Sequence, residues 1–164
     1  MARTAKLVAV VGLLLLASCG SDSDESSSST TVGDESSTAT TGDAGNACPV
    51  ENCTVTITDV AASGDELEIT WEANFDPDVS RNHIHVYWST FTPAEVSANA
   101  QATHGVEQGT WVPTDAYPTF VTEGAVSTSE RGDADQVCVT AADREHNVLD
   151  IDVQDCRDIS DLVS

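Results

Sequence analysis

The chain has 164 residues, 40% of them hydrophobic, a composition typical of a globular protein and not of a wholly disordered one. It carries 28 acidic residues against six basic ones, and a surface of that charge repels phosphate backbones and anionic membrane surfaces. We therefore expect no nucleic-acid partner. Solubility in a salty medium and binding of cations or basic partners are both compatible with the charge.

Residues 1–18 have the pattern of a signal peptide. Arg3 and Lys6 make a positive start, and the apolar run 7–17 is shorter than the roughly 20 residues that a membrane-spanning helix needs. The run ends in Leu16-Ala17-Ser18-Cys19, which resembles the lipobox of prokaryotic lipoproteins. The resemblance implies cleavage after Ser18 and acylation of Cys19, and so a lipid anchor on the extracytoplasmic face of the cell membrane, inner or outer. The alternative is a buried or disulfide-bonded cysteine in a secreted protein.

A polar stretch over residues 19–47 follows the anchor. Val32 is its one aliphatic side chain larger than alanine, so the stretch buries too little surface to offset the entropy of ordering. We expect a disordered stalk rich in Ser, Thr and Asp, with a reach of roughly 30 Å. The mature chain would carry 28 acidic residues and four arginines, a formal charge of −24. Residues 48–164 are then long enough for one domain.

Residues 65–75 predict a half-buried β-strand, because Leu67, Ile69 and Trp71 alternate with polar residues. The same period predicts strands at about 54–60, 83–89, 136–142 and 148–154, and another within 124–129. Short strands separated by turns indicate an all-β antiparallel sandwich.

One helix is expected within the sandwich, at about residues 93–104. Thr92-Pro93-Ala94-Glu95 combines a capping threonine, a proline at the first helical position and a glutamate three residues after the cap. Gly105 is suited to end the helix.

Three motifs carry a resemblance to a known family. Residues 67–71 (LEITW) look like the second strand of fibronectin type III domains, residues 83–88 (HIHVYW) like the third, and residues 137–143 (VCVTAAD) like the sixth. The resemblance implies an immunoglobulin or fibronectin III-like sandwich. The whole chain is also similar to actinobacterial surface lipoproteins, a likeness that implies no particular activity.

Four cysteines follow Cys19, an even number in an oxidising compartment, so we expect two disulfides. We favour Cys48 with Cys53, since local closure is easiest, and Cys138 with Cys156, since these lie on consecutive strands. The expected hairpin register sets Cys138 opposite Asp152, so that Cys156 must bend back to reach it. The two crossed pairings therefore stay open.

His83 and His85 are the candidate metal ligands. They are two apart on a strand, so both side chains leave the face opposite Ile84 and Val86. Their expected neighbours on that face are Thr140, Ala142, Asp150 and Asp152. Two imidazoles with carboxylates could bind Cu(II) or Zn(II), and His104 or His146 could complete the set. The alternatives are solvent-facing polar residues or a histidine packed under the helix.

Other chemistry is weakly supported. Asp76 with Asp78, Asp133 with Asp135, and Asp150 with Asp152 lack the spacing of a calcium loop and are interpreted as solvated carboxylates. No nucleophile elbow or phosphate-cradling glycine run is present, so we expect no enzyme. The first hypothesis is a membrane-anchored, non-enzymatic module that binds an envelope protein or glycan. The second is a copper or zinc protein, or a metalloenzyme, that uses His83 and His85, and the third is a structural envelope component.

Overall fold

The computed structural model of the protein describes residues 47–163. The expected signal peptide, the expected lipidation site Cys19 and nearly all of the expected stalk lie outside these residues. Within residues 47–163, no helix is both long and apolar enough to cross a membrane.

In the described part of the chain, seven strands form two antiparallel sheets packed face to face, which confirms the predicted all-β sandwich. One sheet has the order β1-β2-β5 and the other the order β4-β3-β6-β7. The strands are β1 Val55–Ser63, β2 Glu66–Ala73, β3 Asn82–Trp88, β4 Val112–Thr114, β5 Thr119–Val121, β6 Gln136–Asp143 and β7 Asp155–Asp158. Residues 67–71, 83–88 and 137–143 lie in β2, β3 and β6.

The core lies between the two sheets and follows the alternation of the sequence. Leu67, Ile69 and Trp71 of β2 are buried, as are Ile84 and Val86 of β3 on the facing sheet. Side chains two residues apart on a strand leave the same face, so each strand contributes one row to this core. The other face of β3 is therefore directed away from the main core.

At one edge of the sandwich, side chains of β7 form hydrogen bonds with the backbone of β1. Asp155 of β7 accepts a hydrogen bond from the Ile57 N–H of β1 at 2.8 Å, beside a bulge in that strand. The Arg157 guanidinium donates to the Ile57 carbonyl through Nε at 3.1 Å and through a terminal nitrogen at 2.6 Å. These bonds join strands of opposite sheets and satisfy backbone groups that an edge strand otherwise exposes.

The inserted helix is shorter than predicted. Glu95 does accept from the Thr92 N–H and hydroxyl, both at 2.8 Å, but the only helix within the predicted span is one π-helical turn over Ala100–His104. The Ala98 N–H donates to the His146 carbonyl at 2.8 Å rather than to a carbonyl of its own turn. Tertiary hydrogen bonds with the neighbouring hairpin thus replace the helical ladder.

Two predicted strands are wrong. Residues 148–154 form only an isolated bridge from Val148 to Ala142, because the Asp150 side chain and carbonyl turn the chain by accepting from Asp152 and Val153. Residues 124–129 contain 3-10 turns, since the Glu66 carboxylate accepts hydrogen bonds from residues 127 and 128. The short strands β4 and β5 were not predicted.

The favoured disulfides are both present. Cys48 pairs with Cys53, and Cys138 pairs with Cys156. The expected register holds at the turn end of the hairpin, where Ala142 bridges Val148, but it fails at the disulfide. Cys138 lies directly opposite Cys156, with 4.1 Å between their Cα atoms, because the extra residues loop out before β7. The second disulfide therefore ties the base of the hairpin between β6 and β7.

We expect the two disulfides to contribute unequally to stability. Replacing Cys138 and Cys156 by alanine should lower the free energy of unfolding by about 3 kcal/mol, and replacing Cys48 and Cys53 by about 2 kcal/mol, because the closed loops span 18 and 5 residues. Urea unfolding of both double variants without reductant measures the difference. Equal losses, or the reverse order, would contradict this expectation.

Candidate metal centre

Both faces of β3 are covered, and all seven of its residues are buried. Ile84 and Val86 enter the core between the sheets, whereas His83, His85 and Tyr87 leave the opposite face. The predicted common face of the two histidines agrees with this placement. It is not solvent-facing, however, since both side chains have 0% exposure.

A segment between β3 and β4, residues 89–111, covers this outer face, and we call it the cover segment. Val96 is fully buried and packs in a second apolar cluster with Tyr87, Cys138 and Val148. Trp111, near the end of the segment, stacks on the His85 ring with centroids 5.0 Å apart and planes at 25°. The cover segment thus turns an outer sheet face into a second interior.

Three histidines meet in this second interior. His83 Nε2 lies 3.2 Å from His85 Nε2 and 3.0 Å from His146 Nδ1. No two of the three ligand atoms are more than 4.8 Å apart. We call His83, His85 and His146 the histidine cluster. Among residues 47–163, no carboxylate or thiolate joins this group of potential ligands.

His146 reaches the cluster from a tight turn, residues 143–147, that follows β6. Its φ is +63°, a left-handed conformation in which histidine is one of the more frequent non-glycine residues. Asp143 shapes the turn, because its Oδ1 accepts the N–H groups of Glu145 and Asn147 at 2.8 and 2.9 Å. The ring is half-buried, so His146 is the most accessible member of the cluster.

Three consecutive residues of the cover segment hold the cluster in place. The Val96 carbonyl lies 2.8 Å from His85 Nδ1, and the Ala98 N–H donates to the His146 carbonyl at 2.8 Å. Between them, the buried Ser97 hydroxyl accepts from the Val148 N–H at 3.0 Å. These bonds connect β3, the hairpin and the cover segment at a single point.

The hydrogen positions in the cluster follow from the Val96 contact. A carbonyl only accepts, so His85 carries its hydrogen on Nδ1 and presents a lone pair at Nε2. If His83 Nε2 carries a hydrogen, it can donate a well-aligned hydrogen bond to either His85 or His146, but not to both. Without that hydrogen, the lone pairs of His83 and His85 face each other at 3.2 Å. In every neutral arrangement, one contact lacks a good hydrogen bond.

Extra protons do not resolve this conflict near neutral pH. Burial, reinforced by the nearby His146, lowers the pKa of His83 from 6.5 to about 4, although Asp143 and other carboxylates act in the opposite direction. Burial lowers the pKa of His85 to about 3, although its hydrogen bond to the Val96 carbonyl favours the charged form. Both rings therefore stay neutral and keep a lone pair available.

The two nitrogen–nitrogen distances from His83 suit a metal ion. Zinc binds imidazole nitrogens at about 2.0–2.1 Å, which places two nitrogens of a tetrahedral site about 3.3 Å apart. The two contacts of His83, at 3.2 and 3.0 Å, are close to that separation. His85 has an outer hydrogen-bond partner of the kind that orients metal-binding histidines, namely the Val96 carbonyl.

Of the other residues predicted near the site, two lie beside the histidines and three do not. Thr140 and Ala142 lie beside His85 and His83 on β6, as expected from the sequence. Asp150 and Asp152 are exposed in the loop before β7 and do not join the cluster, because the predicted strand there does not form. His104 ends the π-helical turn and is not part of the cluster.

No protein-family model, curated protein or solved structure matches the chain.

We expect the metal-free protein to lose stability in acid through His83 and His85. As the pH falls below about 6.5, the unfolded chain takes up protons at both positions, whereas the folded chain does so only near pH 4 and 3. The free energy of unfolding therefore decreases across that window.

The measurement is urea unfolding in the presence of a chelator, with a His83→Gln/His85→Gln double variant and a His104→Gln control. As the pH falls, the free energy of unfolding should decrease more steeply for the wild type than for the double variant. The His104→Gln profile should follow the wild type. Parallel profiles for wild type and the double variant would contradict the assignment.

Proposed function

We propose that this protein is a lipid-anchored, extracytoplasmic metal-binding protein whose histidine cluster holds copper or zinc. The observation that carries the proposal is the gathering of three ring nitrogens within 4.8 Å of one another, with too few hydrogens to satisfy both contacts of His83 Nε2. A metal ion accepts all three lone pairs and removes the conflict. Imidazole nitrogen is a ligand that both copper and zinc favour.

Simple packing is a weaker explanation of the cluster. Two fully buried histidines give less apolar burial than aliphatic residues in the same positions, and they add polar atoms that need partners. His83 Nδ1 is buried without a hydrogen-bond partner. Burying this nitrogen without a partner costs on the order of 1–3 kcal/mol. The free energy of binding a metal ion is several-fold larger.

The proposed location rests on the first 47 residues. An 11-residue apolar run that ends in Leu16-Ala17-Ser18-Cys19 supports export and acylation, and the polar stretch after it supports a flexible tether. The two disulfides of the domain are consistent with an oxidising compartment. We infer a metal centre held near the membrane surface, in the fibronectin III-like domain of a surface lipoprotein.

A second candidate function is the interaction module expected from the sequence. It is favoured by two exposed side chains near β5, Tyr117 with 53% and Val121 with 44% exposure. Exposed aromatic and aliphatic side chains could contact a glycan or an envelope protein. This function needs no metal, so metal analysis separates the two candidates.

The metal proposal predicts about one copper or zinc ion per chain after reconstitution and dialysis. His146→Ala should weaken binding by at least about 100-fold, since loss of an outer partner alone costs up to that factor. His83→Ala/His85→Ala should abolish binding, and His104→Ala is the matched control that retains it. A Cys19→Ser background avoids a free thiol. Elemental analysis and competition with a chelator give the stoichiometry and the affinity.

Two results would contradict the metal proposal. One is the absence of bound metal in the wild type, which would leave the interaction module as the remaining candidate. The other is equal loss of metal from the His104→Ala control, which would mean that binding does not reside in the histidine cluster.

The anchoring proposal predicts that Cys19→Ser releases the domain from the membrane fraction of its native host. The wild type should need detergent for extraction and should carry a lipid mass on the first residue of the mature chain, since several acyl chains on one residue suffice for stable anchoring. Mass spectrometry of the mature N-terminus checks this. A wild-type chain found in detergent-free supernatant, with residues before Cys19 still attached, would overturn the anchor.

A further inference from the structure

The histidine cluster contains only uncharged ligands. The chain has 28 carboxylates, yet within residues 47–163 none of them lies in the group of potential ligand atoms. His83 and His85 are removed from solvent, and the Trp111 ring covers one face of His85. An ion in this centre would therefore keep its full charge in a poorly hydrated place.

Such a place penalises a divalent ion more than a monovalent one. The cost of removing an ion from water grows with the square of its charge, so a divalent ion meets about four times the cost of a monovalent ion of similar size. The attraction of neutral imidazole dipoles grows only in proportion to the charge. Without a carboxylate or thiolate, nothing in the ligand set offsets the second charge.

The number of ligands points in the same direction. Zinc in proteins almost always has four ligands, and a three-histidine zinc site completes its set with water or substrate. Cuprous copper is a monovalent d¹⁰ ion that is stable with two or three ligands. Three nitrogens from His83, His85 and His146, with two of the rings fully buried, match that smaller requirement.

We propose that the histidine cluster is a cuprous-copper site that binds Cu(I) in preference to Zn(II) and Cu(II). This inference rests on the proposed metal-binding function and names the ion that the site selects. It concerns equilibrium affinity and requires no redox step by the protein. The determinant of selectivity is the absence of an anionic ligand.

The chain offers a matched pair of variants that tests this determinant. His146 points Nδ1 at the cluster, and a carboxylate Oδ of aspartate stands the same number of bonds from the backbone as Nδ1 does. Aspartate and asparagine also tolerate the positive φ of residue 146. His146→Asp therefore introduces a negative ligand where His146→Asn introduces a neutral oxygen, with little change in shape.

The experiment measures the affinities of the full-length chain, with Cys19→Ser, for Cu(I), Cu(II) and Zn(II). Cu(I) is supplied anaerobically and competed against a chromogenic cuprous chelator. The wild type should retain Cu(I) in the presence of an about 100-fold molar excess of zinc. His146→Asp should lower the ratio of Cu(I) to Zn(II) affinity by at least about tenfold. His146→Asn should lower the affinity for both ions.

The possible failures are distinguishable. Tighter binding of Zn(II) or Cu(II) than of Cu(I) by the wild type would overturn the cuprous preference and leave the metal centre standing. An equal affinity ratio in His146→Asp and His146→Asn would overturn the role of ligand charge. If none of the three ions binds to the wild type, the proposed function itself would be overturned. Circular dichroism of each variant confirms that it is folded.

Discussion

The hydrogen bond from His85 Nδ1 to the Val96 carbonyl joins the sheet to its cover. It fixes the ring nitrogen that bears the hydrogen, and so the one that presents a lone pair to the neighbouring histidines. It also holds the cover segment against β3, where Ser97 and Ala98 continue the contact to the hairpin. The burial and the orientation of His85 both depend on this contact between one side chain and one backbone carbonyl.

Charge is distributed in opposite ways on the surface and in the centre. The exterior is densely acidic, which raises the local concentration of cations and keeps the domain soluble. The histidine cluster has no acidic ligand within the described part of the chain. The surface therefore attracts cations without discrimination, whereas the metal centre that we propose would select an ion that prefers nitrogen to oxygen.

The sandwich and half of the site were predictable, because both depend on local periodicity. Period 2 placed His83 and His85 on one face of a strand and paired them correctly with Ala142 and Thr140. His146 could be named only as one of two options, since its approach depends on a left-handed turn and on the register of β6 with β7. The Val96 carbonyl left no signal, because any residue has one. The alanine-rich cover segment resembled a helix, whose ladder was displaced by tertiary hydrogen bonds.

Stability alone does not explain the cluster. A domain of this size has a continuous apolar core and two disulfides, so it does not need a metal to fold. The second interior already contains Tyr87, Val96 and Val148, and apolar residues at positions 83 and 85 would extend that packing without polar atoms. Local departures from the rules of good packing in otherwise consistent folds concentrate at functional sites. The unmatched nitrogen contacts of His83 are such a departure, and the ion that we propose would reconcile them with the fold.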